Sequence, residues 1–203
     1  MPIQDLSGTG PMFFEIVRSV TLYAALFAID VDFARETRAR GCQFCGGPLH
    51  SAPYERKPRG PTALPSEYSV RLSLCCGARD CRRRTLPSSC LFDGRRVYWR
   101  AVVLIAVSMT QGGPSRRSVG QICALFGVSR STVRRWCAYF DSEFVLSRAW
   151  QCIAGQVGVR MSDELPHALL ARFASNSGAS EAALVSCLEL LAMGRASPRG
   201  QTF

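Results

Sequence analysis

Four cysteines in two short clusters have the types and spacing of a metal site. Cys42 and Cys45 form a C-x2-C pair in GCQFCGGPL, where flanking glycines allow a tight turn that aims two thiolates at one point. The second pair, most simply Cys76 and Cys81 in LCCGARDC, follows after 30 residues, enough for two strands. Four thiolates suit the closed tetrahedral sites that zinc prefers, so the sequence predicts a structural Zn²⁺.

Two neighbouring residues compete for places in this site. Alternation along YSVRLSLCC puts Cys76 on the same side as Tyr68 and Leu74 and turns Cys75 away, which favours Cys76 as the ligand. His50 is a possible substitute ligand, but we expect it to be an exposed loop residue. A redox role for the C-x2-C pair is disfavoured, because the surrounding sequence lacks a βαβ pattern and a second cysteine cluster follows.

The stretch VGQICALFGVSRSTVRRW combines arginines with the pattern of two short helices that meet at a turn. Gly127 stands where the turn needs a positive φ, and Ser129 is a good N-cap for the second helix. Val133 and Trp136 give that helix an apolar face. The opposite face predicts groove contacts from polar residues: Arg130, Ser131, Thr132, Arg134 and Arg135. This is a helix-turn-helix pattern, although a three-helix packing unit with a solvated basic face is the alternative.

The net charge of +10 is concentrated in the middle of the chain. Residues 41–135 carry a net charge of +12, whereas the segments on either side carry −1 each. A polyanion would therefore bind to the middle segment. We expect phosphate contacts from two further arginine groups, although a solvated charge run is the alternative for the first. These groups are Arg82, Arg83 and Arg84, which follow the second cysteine pair, and Arg116 and Arg117, which precede the first helix of the motif.

These candidate sites require a mainly helical α+β protein with a small β zinc ribbon. We predict an N-terminal helical segment at 1–40, the ribbon at 41–94 and a three-helix DNA-binding unit at 95–141. A C-terminal helical module at 142–194 and a disordered tail at 195–203 complete the chain. The predicted helices cover 12–40, as one or two helices, and 95–109, 142–154, 162–173 and 180–193, besides the two helices of the motif.

The composition of this 203-residue chain is that of a soluble globular protein. The longest uncharged apolar run, residues 20–29, is too short to span a membrane, and the N-terminus lacks the features of a signal peptide. We therefore expect a cytoplasmic, nucleoid-associated protein without membrane contact. In a reducing compartment the cysteines outside the two clusters are expected to be buried thiols.

The motifs CQFCGGPL, RLSLCCGARDCRRRT and VGQICALFGVSRSTVRRW together resemble the zinc-ribbon and helix-turn-helix regions of bacterial insertion-sequence transposases and of related small accessory proteins. The resemblance covers residues 41–140 and implies that the ribbon helps to position DNA ends or a partner. The chain departs from full transposases because only about 60 residues follow the motif, and they read as helices. Four carboxylates there are interpreted as helix-start and surface groups, and no nuclease activity is expected: Asp141, Glu143, Asp163 and Glu164.

Three functions are compatible with these patterns. The favoured one is a non-enzymatic, zinc-stabilised protein that binds double-stranded DNA, as a mobile-element accessory factor or a transcriptional regulator. The second is a DNA-binding remnant or subunit of a recombinase whose catalytic part is absent or lies on another chain. The third is an adaptor whose basic centre binds RNA or an acidic protein. A transposase, or a second copy of the chain, is a possible protein partner.

Overall fold

The computed structural model describes residues 15–59, 64–94, 97–111, 116–158, 163–177 and 180–194. Its α-helices are α1 (Val20–Arg40), α2 (Arg100–Ser108), α3 (Val119–Phe126), α4 (Arg130–Ala138), α5 (Arg148–Val157), α6 (His167–Ser177) and α7 (Ser180–Met193). Its strands are β1 (Leu49–Ser51), β2 (Tyr54–Glu55), β3 (Val70–Arg71), β4 (Leu74–Cys76) and β5 (Arg84–Thr85). The fold is mainly helical α+β, as the sequence predicts, with the small sheets preceding most of the helices.

The strands form two small antiparallel sheets. One has the order β1-β4-β5, and the other pairs β2 with β3. Leu49 lies opposite Cys76, so the strand after the first cysteine pair is joined to the strand that carries the second pair. The predicted alternation holds in β4 but not before it, because Arg71 and Ser73 are buried and Tyr68 belongs to a 3₁₀ turn.

Helix α1 leads directly into the first cysteine pair. It begins after Ser19, whose hydroxyl accepts a hydrogen bond from the Leu22 N–H, and it ends at Gly41. Gly41 has a φ of +75°, which a side chain would disfavour, and the chain reverses there. A single helix therefore occupies most of the segment predicted as one or two helices; the predicted start at residue 12 lies outside the described residues.

Helices α2, α3 and α4 form the predicted three-helix unit. Every residue of α2 is buried, as its apolar sequence predicts, and the helix begins at Arg100 rather than at the predicted residue 95. Ser118 and Gln121 form a reciprocal capping box at the start of α3. Gly127 ends α3 with a φ of +62° and a ψ of +34°, and Ser129 caps α4 by accepting a hydrogen bond from the Thr132 N–H. The turn therefore has the geometry that its sequence predicts.

The chain after α4 departs from the predicted helix boundaries. A π-helical turn at Tyr139–Phe144 continues α4, and α5 begins only after its N-cap Ser147, instead of one helix running over 142–154. The turn forms because Phe140 and Phe144 both face the core. Helix α6 begins at His167 and ends at Ser177, later than the predicted 162–173. Helix α7 has the predicted bounds.

Helices from both ends of the chain share one hydrophobic core with the three-helix unit. This core includes Leu22 and Leu26 of α1, Val102 of α2 and Leu184 and Leu188 of α7. The prediction of separate terminal modules was drawn from charge and motif boundaries, which do not report which helices pack together. The ribbon has its own small apolar cluster around Leu49 and Leu74.

Within the described residues, no helix combines the length and hydropathy that crossing a membrane would require.

Candidate metal centre and nucleic-acid interface

The ribbon brings the sulfurs of the four predicted cysteines together. Cys42 Sγ lies 3.7 Å from Cys81 Sγ, and Cys45 Sγ lies 3.5 Å from Cys76 Sγ. All four sulfurs lie within 4.8 Å of one another, and none of them is in a disulfide. Sulfurs bound tetrahedrally at about 2.3 Å from one zinc ion would be about 3.8 Å apart. The cluster therefore has the dimensions of a four-thiolate metal site.

A backbone N–H group points at each of these sulfurs. In every case the donor lies two residues further along the chain: Phe44 for Cys42, Gly47 for Cys45, Ala78 for Cys76 and Arg83 for Cys81. Donors aimed at a sulfur stabilise its thiolate form. The two cysteine turns, which we call the knuckles (42–47 and 76–83), therefore provide matching donor sets for anionic ligands.

The four thiols oppose one another's ionisation unless a cation is present. The Phe44 N–H lowers the pKa of the Cys42 thiol to about 7. The backbone donors also act to lower the pKa values of Cys45, Cys76 and Cys81, but neighbouring sulfurs and burial raise those pKa values by more. A divalent cation at the centre would stabilise all four thiolates. The donor set thus fits a metal ion better than it fits four free thiols.

Two glycines let the backbone pass close to this cluster. A Cβ atom at Gly47 would lie 3.3 Å from the sulfurs of both Cys45 and Cys76. Gly77 lies under the ring of His50, whose Nε2 would be 2.5 Å from a Cβ there. His50 is exposed, as predicted, and pairs across the sheet with Cys75, whose thiol points to the Arg82 carbonyl oxygen at 3.5 Å. Both side chains therefore lie on the sheet face opposite to the cluster.

Helix α4 separates its apolar and polar residues onto opposite faces. Val133 and Trp136 are buried against the core. Four of the predicted groove residues are exposed on the other face: Arg130, Ser131, Arg134 and Arg135. The structure therefore leaves a polar, arginine-rich face accessible on the second helix of the motif.

Thr132 occupies a different position from the other predicted groove residues. Only 5% of its surface is exposed. Its hydroxyl lies 3.0 Å from the Ser129 hydroxyl and accepts a hydrogen bond from Arg135 Nη2 at 3.4 Å. Thr132 therefore packs behind the start of α4 and orients Arg135. The predicted direct contact is corrected by this burial, which follows from its position one turn before the buried Trp136.

The three predicted arginines after Cys81 are exposed but differ in their surroundings. Arg84 Nη1 donates to Ser73 Oγ at 2.8 Å and to the Ala52 carbonyl oxygen at 3.2 Å, so it holds strands together. The Arg83 guanidinium lies 4.4 Å from the centre of the Phe44 ring. Arg82 has a φ of +49°. The structure thus gives Arg84 a structural role that the run of three identical residues does not predict.

The predicted phosphate contacts before α3 lie next to its N-terminus. Arg116 is exposed and Arg117 is half-buried, and the Arg117 N–H donates to the Met109 carbonyl oxygen at 2.7 Å. The Arg130 guanidinium reaches back towards Gly120 in the first turn of α3. These three arginines surround the start of that helix, where the helix dipole also favours an anion.

A short contact joins the ribbon to α4. The Arg59 N–H donates to the Val97 carbonyl oxygen at 2.6 Å. The adjacent ring of Tyr98 packs edge-on against Trp136, with ring centres 4.9 Å apart. The loop that contains Arg59 therefore lies behind the helix that presents the arginine face. The sequence gave no sign of this contact, because neither ring falls in a shared periodic pattern.

A buried carboxylate links α1 to the segment between the ribbon and α2. Asp30 is 2% exposed and accepts hydrogen bonds from the Ser89 hydroxyl and the Cys90 N–H. Burial raises the pKa of this carboxyl to about 6, although both hydrogen bonds and the charge of Arg71 act to lower it. This polar contact fixes α1 against the start of the three-helix unit.

The family described as a helix-turn-helix domain matches residues 109–143, which include α3, the turn and α4. The match supports the helix-turn-helix region and suggests DNA binding by it. Comparisons with curated proteins and with solved structures returned no significant match.

The residue of greatest interest that the sequence analysis overlooked is Phe44. Its side chain is 44% exposed between the two cysteines of the first knuckle. An aromatic residue inside a C-x2-C pair is itself the signal that could have identified it, since metal turns leave their intervening side chains exposed.

Proposed function

We propose that this protein binds double-stranded DNA through α4, in a fold stabilised by a structural zinc ion, and that it acts without catalysis. One observation carries the proposal: the exposed face of the second helix of a helix-turn-helix consists of Arg130, Ser131, Arg134 and Arg135. Arginine donates two parallel hydrogen bonds to guanine in the major groove and pairs equally well with phosphate. Thr132 supports this face by orienting Arg135.

The groove contact is tested with Arg134→Ala. If Arg134 reads a base, the substitution costs about 1 to 3 kcal/mol on a selected sequence and less on random DNA. The preferred sequence comes first from selection in a random pool with zinc-loaded protein. Arg35→Ala on α1, which removes an exposed arginine paired with Asp32, is the matched control and leaves both affinities unchanged. Equal losses on selected and random DNA for every arginine of α4 would remove sequence recognition from the proposal.

Phosphate contacts are proposed for Arg82, Arg83, Arg116 and Arg117, all in the strongly basic middle of the chain. Each phosphate contact releases counterions, so the dissociation constant rises with salt. Arg116→Ala weakens binding to all duplex sequences alike and reduces the magnitude of the slope of log K against log salt by about 1. An unchanged salt slope for all four alanine variants would contradict this assignment.

We further propose that Cys42, Cys45, Cys76 and Cys81 bind Zn²⁺. The chemistry of four thiolates with backbone donors supports zinc, which has no redox chemistry and prefers closed tetrahedral sulfur sites. Purified protein contains one equivalent of zinc, and Cys45→Ser reduces that content. Cys75→Ser and Cys152→Ser are the controls, since one thiol points to the Arg82 carbonyl oxygen and the other is exposed on α5. Zinc content well below one equivalent in the unmodified protein would disprove the site.

The cellular role that we propose is that of a mobile-element accessory factor or a transcriptional regulator. The similarity of residues 41–140 to insertion-sequence transposase regions favours the first of these roles. A selected sequence that matches the terminal repeats of a neighbouring element supports it, whereas a promoter sequence supports regulation. Supercoiled DNA stays intact when it is incubated with the protein and Mg²⁺ or Mn²⁺; cleavage that Asp163→Ala abolishes would overturn the non-enzymatic assignment.

A further inference from the structure

An exposed aromatic ring lies among arginines at the tip of the ribbon. Phe44 is 44% exposed, although it stands next to a tightly folded knuckle with its own apolar cluster. The Arg83 guanidinium lies 4.4 Å from the centre of its ring and covers one side of it. Arg79 and Arg82 are exposed in the same knuckle as Arg83. A large apolar surface is therefore held within a basic surface.

The packing of the ribbon does not account for this exposure. Its apolar cluster consists of Cys42, Leu49, Leu74 and Cys76, with Ala78 and Cys81 against it, and Phe44 is not among these residues. The ring is nevertheless held in place, because the knuckle fixes its backbone and Arg83 packs against it. A pre-positioned aromatic ring loses little side-chain entropy when a second planar group stacks on it.

The chemistry of this tip fits unpaired nucleotides better than duplex DNA. Bases inside a duplex are stacked on each other, whereas an unpaired base offers both faces to an aromatic ring or an arginine. Arginines next to such a ring bind the phosphates that connect successive bases. A protein partner would be selected for apolar complementarity, but the surroundings of Phe44 carry at least three positive charges from Arg79, Arg82 and Arg83 against one negative charge from Asp80.

We propose that the knuckle tip is a second nucleic-acid site, in which Phe44 stacks on an unpaired base while Arg82 and Arg83 contact the adjoining phosphates. Its ligand class is single-stranded nucleic acid, such as an opened end of the DNA that α4 binds. The inference rests on the proposed metal centre, which holds the knuckle, but it does not depend on duplex recognition by α4.

The test compares single-stranded and duplex binding by the full, zinc-loaded chain. The probes are a fluorescent oligothymidine of about 12 nucleotides, which matches the usual length of single-strand sites, and a blunt duplex. Phe44→Ala weakens oligothymidine binding about 5- to 150-fold, the range measured for loss of one stacked base, and leaves duplex binding unchanged. Leu86→Ala is the matched control, because Leu86 is an apolar ribbon residue with 46% exposure; it affects neither probe.

Two further variants separate stacking from the stability of the knuckle. Phe44→Leu keeps apolar volume but loses the ring, so it behaves like Phe44→Ala, whereas Phe44→Trp keeps the ring and retains affinity. The new indole is also quenched by oligothymidine beyond the quenching of the unmodified protein. Zinc content is measured for each variant, so that loss of metal is distinguished from loss of stacking.

The outcomes are decisive for this site separately from the α4 site. Arg134→Ala reduces duplex binding and spares oligothymidine binding if both proposals hold. If the unmodified protein ignores oligothymidine, or if Phe44→Leu binds it as well as Phe44→Trp does, the single-strand site is overturned and the duplex site stands. Equal losses on both probes for Phe44→Ala, with zinc retained, also overturn it.

Discussion

Arg82 carries unusual backbone geometry in the ribbon. It follows the second cysteine of its knuckle and has a φ of +49°, whereas the equivalent residue of the first knuckle is Gly46 with a φ of +72°. The two knuckles therefore use the same left-handed turn, but only one uses the residue type that adopts it without strain. The exposed Arg82 side chain is retained at this cost, which fits a role in binding an anion.

This geometry predicts an inverted glycine effect at position 82. At an ordinary exposed position alanine is more favourable than glycine, but a Cβ atom costs about 1 kcal/mol in the left-handed region. Zinc-loaded Arg82→Gly is therefore more stable than Arg82→Ala by about 1 kcal/mol. Thermal unfolding of the two variants measures this difference, and both lack the same charge. An Arg82→Ala protein as stable as Arg82→Gly would show that the turn is unstrained.

Asp30 makes the stability of the protein depend on pH. Because burial raises the pKa of its carboxyl from 3.8 to about 6, the folded state binds this proton more tightly than the unfolded state does. The stabilisation is fully present below pH 3.8 and is lost as the pH rises through 6, by up to about 3 kcal/mol. Asp30→Asn cannot ionise, so its stability relative to the unmodified protein increases with pH.

Chemical unfolding at pH 5 and pH 7 measures this effect. Only part of the pH window lies between these values, so the expected gain of Asp30→Asn over the unmodified protein is about 1 kcal/mol. Metal release on acidification affects both proteins alike and cancels in the comparison. A stability difference that does not vary between the two pH values would contradict a raised pKa at Asp30.

At the residue scale, spacing identified the four cysteines because a metal site imposes a local geometric rule. Strand alternation also separated Cys76 from Cys75 correctly in position, since β4 pairs regularly with β1. Burial of Asp30 and Thr132 could not be predicted in the same way. Both depend on which distant element covers the residue, and a polar residue in a helical pattern is normally exposed.

At the scale of elements, the turn between α3 and α4 depends on one glycine. Gly127 has a φ of +62°, and a Cβ atom there would meet no other atom within 4 Å. A side chain at this position is therefore opposed by backbone conformation alone. Gly155 also has open space around it, but it lies inside helix α5.

The two glycines predict substitutions of opposite sign. Gly127→Ala destabilises the protein by about 1 kcal/mol because alanine disfavours the left-handed conformation. Gly155→Ala stabilises it by about 0.5 to 1 kcal/mol because alanine favours the helix and restricts the unfolded chain. Chemical denaturation of both variants measures these changes. Two substitutions with the same sign would exclude the backbone conformations described for this turn and helix.

Elements with local signals were predicted well and the others were not. The capping serines and the turn glycine define α3 and α4, and the apolar pattern defines α7 between Ser180 and Met193. The π-helical turn was missed because it has no local signal. It arises where α4 must keep both Phe140 and Phe144 against the core, which is a requirement of packing.

At the scale of the whole molecule, the two apolar clusters have different supports. The larger cluster combines helices from both ends of the chain, and Glu181 of α7 accepts a hydrogen bond from Thr21 of α1 at 2.8 Å. The smaller cluster surrounds the cysteine sulfurs. A ribbon of this size buries too little apolar surface to remain folded without its metal ion.

Metal removal therefore unfolds one part of the protein before the other. In the presence of a strong chelator, amide hydrogen exchange increases in β1, β4 and β5, whereas α2 and α7 remain protected. Far-ultraviolet circular dichroism keeps most of its helical signal. Cys152→Ser responds like the unmodified protein, and Cys45→Ser shows the rapid exchange without chelator. Simultaneous loss of protection in α2 would show that both clusters form one cooperative unit.

The arrangement of the whole chain was the least predictable from its sequence. Charge divides the chain into a basic middle and two slightly acidic ends, which suggested separate terminal modules. Charge reports the exposed surface, however, and the packing of α1 and α7 against α2 is decided by their apolar faces. The amphipathic pattern identifies such a face but does not identify its partner.

The π-helical turn at Tyr139–Phe144 also sets a rule for insertions and deletions in this chain. A wide turn accommodates one residue more than an α-helix would, and each residue of an α-helix advances the side-chain direction by about 100°. Removing one residue there would rotate everything that follows relative to α4 and swing Phe144 away from the interior. A protein of common ancestry that lacks the wide turn should consequently align with a single-residue gap at this place, together with a smaller side chain at position 144.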